Sequence, residues 1–136
     1  MNQLVINILL CDTFPGLLPE SIPSHEYFFE KRFHSVDPNI ILKVFRTLDG
    51  ELPEHPTPDE IYLITGSNNA AYDDLPWIRE LQEWIRKAAA RKVHLVGICF
   101  GHQIIAQALG GQVERYAGGW GVGIREMEVL DRKSVV

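Results

Sequence analysis

The sequence predicts an α/β three-layer sandwich, a mostly parallel sheet with helices on both faces. Three observations carry that prediction. Apolar runs of strand length alternate with amphipathic stretches of helical spacing. The run at 93–98 is continuous in apolar character, as in a parallel strand buried on both faces. A cysteine framed by glycines stands where that strand gives way to a helix, at the sheet end where such folds bind ligands. With 136 residues, 46% hydrophobic and 23% charged, residues 1–136 read as a single domain around one core.

The elements follow in order. "LVINILL" (Leu4–Leu10) is the first strand. It lacks a basic leading region, Asp12 closes it, and it is too short to span a bilayer, so it reads as neither signal peptide nor membrane segment. Ser24–Val36 is predicted helical, with Ser24 as N-cap and Tyr27, Phe28 and Phe29 supplying apolar surface. "IILKVFR" (Ile40–Arg46) is the second strand, and the three prolines of Asp49–Glu60 make that stretch a loop. "IYLIT" (Ile61–Thr65) is the third strand.

Leu75–Arg91 is the clearest helix, because Ile78, Leu81, Ile85 and Ala88 fall three and four apart and share one face. Asp74 is its predicted cap, Pro76 suits the first turn, and Glu83 with Lys87 forms an i,i+4 pair. Val93–Ile98 is the fourth strand. Gly101–Leu109 is a short helix stopped by Gly110 and Gly111. "QVERY" and "GIREMEVL" then read as two further strands around the glycine-rich turn "AGGWGVG".

Charge and composition exclude several classes of function. The formal net charge of −5 and the absence of a long basic run argue against nucleic acid as a partner. Cys11 and Cys99 lie far apart beside apolar runs, which predicts free thiols and a cytoplasmic location. His25, His34 and His55 lack metal-ligand spacing, so no metal site is expected. Trp77 and Trp84 are expected to pack, and Cys11 to be a small buried residue.

Gly97-Ile98-Cys99-Phe100-Gly101 has the form Gly-x-Cys-x-Gly between a strand and a helix. This is the thiol counterpart of the nucleophile elbow, a sharp turn that exposes its middle side chain. Glycines on either side leave room for such a turn. A helix starting there aims free N–H groups toward the sulfur, a setting that favours negative charge. The amide of Phe100 is one natural donor to an oxyanion.

"VGICFGHQIIAQALGG", with "LITGSNNAAYDDLPWIRELQEWIRKAAARK" before it and "GGQVERYAGGWGVG" after it, resembles the class I (triad) glutamine amidotransferases. Within that family it is similar to the glutaminase domain of GMP synthase and its stand-alone relatives, and the likeness is densest from Ile61 to Gly123. The resemblance implies a flavodoxin-like fold and no cofactor. It implies that Cys99 attacks the side-chain amide of glutamine, releasing ammonia and leaving a γ-glutamyl thioester for water to hydrolyse. Phe100, with a backbone N–H at Gly66 or Ser67, would hold the oxyanion. Gln103 would help bind substrate, and Gly119, Trp120 and Gly121 would line the pocket. One departure stands at "TGSN", where Ser67 replaces the second of two glycines common in the family.

The family's triad also uses a histidine base followed two residues later by a glutamate. No His-x-Glu occurs in this sequence, and residues 104–136 contain no histidine. The chain is therefore expected to be the front part of a longer domain. No phosphate-binding Walker segment is present, so an ammonia acceptor would belong to a partner subunit or further domain. Two alternatives remain open: hydrolysis of γ-glutamyl peptides by the same thiol, and a glutamine-binding remnant without turnover.

Overall fold

A computed structural model of the chain describes residues 3–13 and 24–128. Four strands, β1 (Val5–Leu9), β2 (Ile41–Phe45), β3 (Ile61–Ile64) and β4 (His94–Gly97), form one sheet in the order β2-β1-β3-β4. Every neighbouring pair is parallel, with Ile8 opposite both Val44 and Leu63, and Leu63 opposite Val96. Helices α1 (His25–His34), α2 (Pro76–Ala90) and α3 (Phe100–Ala108) complete the layers, and a 3₁₀ turn at Thr47–Asp49 follows β2.

Alternation along the strands divides the core into two halves. Ile6, Ile8 and Leu63 pack with Phe29 and Phe33 of α1 on one face. Leu9, Tyr62 and Ile64 pack on the other with Ile78, Leu81, Ile85 and Ala88 of α2 and Ile104 and Ala108 of α3. That division is the three-layer sandwich the sequence predicts. The four α2 residues placed on one face by their spacing are all fully buried.

Local chemistry sets the helix ends. Ser24 is extended and its hydroxyl accepts the Tyr27 N–H at 3.1 Å, as expected of an N-cap. On α1 the apolar surface belongs to Phe29 and Phe33, one turn apart, while Tyr27 and Phe28 are exposed. Pro76 occupies the first turn of α2 and Glu83 pairs with Lys87 at 2.8 Å. Asp74 does not cap α2: the N-cap is Leu75, and Asp74 pairs with Arg79 instead. Helix α2 begins at Pro76, so Asp74 lies one residue outside the capping position.

The two late strands are not formed within the described residues. Residues 112–116 and 123–128 carry no ladder, and Ile124 and Met127 are exposed. A strand needs a hydrogen-bonded neighbour, and no described strand pairs with either stretch. Residues 129–130 of the second lie outside the described residues.

Candidate functional site

Strand β4 delivers Cys99 to the carboxyl end of the sheet, where Ile98 N–H still bonds to Ile64 O at 3.0 Å. The chain then reverses sharply. Cys99 has φ 52° and ψ −108°, a left-handed conformation rare for a residue with a side chain, and it stands at the N-cap position of α3. Gly101 N–H closes the turn onto Ile98 O at 2.8 Å, and Gln103 N–H starts the helix on Cys99 O at 3.1 Å. The two glycines are required by space. A methyl on Gly97 would overlap Gly101 and the His102 amide, and a methyl on Gly101 would overlap the Ile64 carbonyl.

The elbow is anchored on its inner side and open on its outer side. Phe100 is buried, its ring 5.6 Å from that of Trp77 on α2, whereas the Cys99 thiol is exposed. As the first residue of α3, Phe100 has an N–H without an acceptor within the helix. The second thiol is different in kind. Cys11 is 1% exposed at the end of β1, and burial pushes it up to about 12. Trp84 also packs, against Tyr62, with its indole N–H on Pro53 O at 2.8 Å.

The loop after β3 lies against the elbow: a Cβ on Gly66 would stand 3.8 Å from Cys99 Cβ. It is held from several sides. Thr65 Oγ1 accepts from Cys11 N at 2.9 Å and donates to Gly66 O at 3.0 Å. Asp12 accepts the Asn68 amide, Asp73 Oδ2 accepts from Ala70 N at 2.9 Å, and Gln107 Nε2 donates to Ala71 O at 2.8 Å. Of these holding residues, Asp73 and Gln107 have no sequence signal of such a role. Thr65 and Asp12 carry one signal that sequence does offer, being polar residues at the carboxyl ends of two apolar runs.

A cleft of about 610 Å³ gathers Asn68, Tyr72, Asp73, Gln103, Arg115, Gly119, Trp120 and Gly121. The structure thus brings Gln103 together with all three predicted lining residues. Trp120 lies on its rim, 92% exposed. His102 faces elsewhere and lines an apolar groove with Leu95, Ile105 and Leu109. His94 stands on the edge strand β4, exposed. No helix among the described residues is long and apolar enough to cross a membrane.

A parallel sheet with an exposed thiol on a strand-to-helix turn defines an α/β protein with a cysteine elbow. The chain belongs to the class I glutamine amidotransferase family, whose model matches residues 24–134. It is 44% identical to gamma-glutamyl peptidase 4 of Arabidopsis thaliana over 73 residues, 52% of this chain and 29% of that protein. It is 34% identical to a glutamine amidotransferase-like protein of Gibberella zeae over 94 residues, 66% of this chain and 39% of that one. A glutamine amidotransferase of Thermotoga maritima shares the fold at a TM-score of 0.60 and 20% identity, over 81% of this chain and 44% of its own. The chain thus spans less than half the length of each.

Proposed function

We propose that Cys99 is the nucleophile of a γ-glutamyl amide hydrolase acting on the side-chain amide of glutamine. The observation that carries this reading is the Cys99 backbone, held at φ 52° so that an exposed thiol sits at the start of α3. Strain of this kind collects where the surrounding structure enforces it for function. The thiolate would add to the γ-carbonyl, and the oxyanion so formed would accept from Phe100 N–H and from an amide at Gly66 or Ser67. Collapse would break the C–N bond, and the departing nitrogen would take a proton to leave as ammonia. Water would then split the γ-glutamyl thioester, giving glutamate and the free thiol. Gln103 and the backbone of Gly119, Trp120 and Gly121 would hold the amino-acid end of the substrate in the cleft.

General base catalysis is worth about 10²–10⁴-fold. With no His-x-Glu in the 136 residues, a histidine base would come from polypeptide outside them, from a second chain or from a histidine upstream of Cys99. Released ammonia would pass to an acceptor on a partner subunit or further domain.

A second reading, hydrolysis of γ-glutamyl peptides, is favoured by relatives named gamma-glutamyl peptidase at 36–44% identity. Both readings share the thiol and the γ-glutamyl end of the substrate. They differ in the leaving group, ammonia or an amino acid.

The test is labelling with 6-diazo-5-oxo-L-norleucine, a glutamine-shaped electrophile, followed by intact-mass and peptide analysis. The expected result is a single adduct on Cys99, formed faster than with the D-enantiomer and lost in Cys99→Ser. Equal labelling by both enantiomers would sink the reading. Saturable glutamine binding with no adduct would leave a binding remnant instead. Turnover of glutamine against a γ-glutamyl dipeptide, measured with a second chain or longer polypeptide supplying the base, then separates the two leaving groups.

A further inference from the structure

Two buried polar residues control the peptide planes beside Cys99. Thr65 is 1% exposed at the end of β3, and its own N–H bonds to Leu9 O at 3.1 Å. A hydroxyl has a single proton to give. The Cys11 N–H can only donate, so Thr65 Oγ1 accepts there at 2.9 Å, and its proton goes to Gly66 O at 3.0 Å. In a planar trans peptide the N–H points opposite to the C=O. Fixing Gly66 O therefore fixes the direction of the Ser67 N–H, in the loop that lies against Cys99.

Asp12 does the same for the next peptide. It is 9% exposed at the end of β1 and accepts Thr13 N at 2.7 Å through Oδ1 and the Asn68 amide through Oδ2. The peptides before and after Ser67 are thus both set by side chains rooted in the sheet. These partners lie 54 and 56 residues apart in sequence, so the arrangement is tertiary.

We propose that Thr65 and Asp12 are positioning residues that aim the Ser67 N–H at the oxygen of a carbonyl under attack by Cys99. This rests on the reading of Cys99 as a nucleophile for γ-glutamyl substrates. Neither side chain touches the reacting atoms. Each acts through the peptide it holds, and misdirecting one donor reduces the electrostatic help it gives the developing oxyanion.

The experiment compares two electrophiles on the chain itself. 6-Diazo-5-oxo-L-norleucine presents a ketone where the amide carbonyl would lie. Its diazo carbon takes a proton from solvent, the sulfur displaces N₂, and a C–S bond replaces the C–N bond. Iodoacetamide alkylates the same thiol, with iodide leaving, and has no carbonyl that must be seated at the γ position. The expected result for Thr65→Val is a diazoketone rate at least about tenfold lower, with the about 10²–10³ that a lost oxyanion donor costs as its ceiling. Its iodoacetamide rate stays at the wild-type value. Thr65→Ser, which keeps the hydroxyl, restores the diazoketone rate, and Asp12→Asn, which keeps one of two acceptor oxygens, falls between.

Equal loss with both reagents, or no loss in a folded variant, would overturn the inference while leaving the proposed function standing. If Thr65→Val does not fold, Asp12→Asn decides, and a wild-type ratio of the two rates there overturns it. Failure of both variants to fold also overturns it, because the residues would then be scaffold alone. A wild-type chain that treats L- and D-diazoketone alike removes the premise and the inference together.

Discussion

Gly101 of α3 sits so close to Ile64 of β3 that a methyl group on its Cα would overlap the Ile64 carbonyl. That contact brings the start of α3 down onto the sheet and sets where the elbow stands relative to the loop after β3. Gly101→Ala must push α3 off the sheet or break the turn. Overpacking a close-packed site typically costs about 1–3 kcal/mol. Urea denaturation should show a loss of that order, with slower diazoketone labelling of Cys99. A variant as stable as wild type would mean that the helix and strand have slack here.

The two thiols should separate cleanly by reactivity. Cys99 is exposed on the elbow, while Cys11 is buried with its Sγ on Leu9 O at 3.5 Å. Burial raises the Cys11 thiol from 9.0 to about 12. A raised folded value means that the neutral thiol is favoured by folding. The stability it contributes is full below pH 9 and is lost as pH rises toward 12. At neutral pH, iodoacetamide should add one group to the native chain, at Cys99, and a second only after denaturant is added. Early labelling of Cys11 would contradict the buried position.

Trp84 links α2 to the proline-rich loop, with its indole N–H on Pro53 O at 2.8 Å and its ring against Tyr62 at 5.6 Å. Trp84→Phe keeps a ring but removes the donor and some volume. The expected loss is about 1–3 kcal/mol, from an unpaired carbonyl and imperfect packing. Limited proteolysis should also cut faster within residues 50–60. Unchanged protection of that loop would show that it is held by other contacts.

Glu60 joins three groups at the start of β3: Asn7 Nδ2 at 2.7 Å, Lys43 Nζ at 3.0 Å and the Tyr62 hydroxyl at 3.3 Å. The Asn7 hydrogen bond, with smaller help from Lys43, holds its carboxyl below the ordinary 4.5. A depressed acid contributes stability that is present above its unfolded value and lost as pH falls through the folded one. Thermal melts of wild type should therefore fall below pH 4.5 more steeply than those of Glu60→Gln. Parallel curves for the two would remove Glu60 from the acid response.

The parts of the molecule legible in sequence are those whose cause is local. Ile78, Leu81, Ile85 and Ala88 declare their face by spacing alone, and Ser24 lies one residue before a helix whose third amide it receives. The elbow was legible because two glycines mark a turn that a Cβ would block. Asp74 is not the cap because Pro76, two residues on, sets the helix start one residue later than a capping aspartate needs. "QVERY" reads as a strand, but pairing depends on a partner that local pattern does not supply. Thr65 and Asp12 are marked in sequence only as polar residues ending apolar runs, and their partners are not, since those hydrogen bonds join segments more than fifty residues apart.

Cys99 itself should prove a weak point of the fold. Its φ of 52° and ψ of −108° mirror the extended conformation that L residues prefer, a region open to glycine but strained for cysteine. Holding a side chain there costs on the order of 1–3 kcal/mol. Cys99→Gly should relieve that strain and raise the denaturation midpoint, although part of the gain is offset by the greater freedom of glycine in the unfolded chain. Cys99→Ala keeps the Cβ and should leave the midpoint near wild type. Both variants lose the thiol, so any difference between them in stability reports the backbone alone. A Cys99→Gly chain less stable than Cys99→Ala would mean that the elbow is relaxed, and the strain argument for a nucleophile at this position would fall.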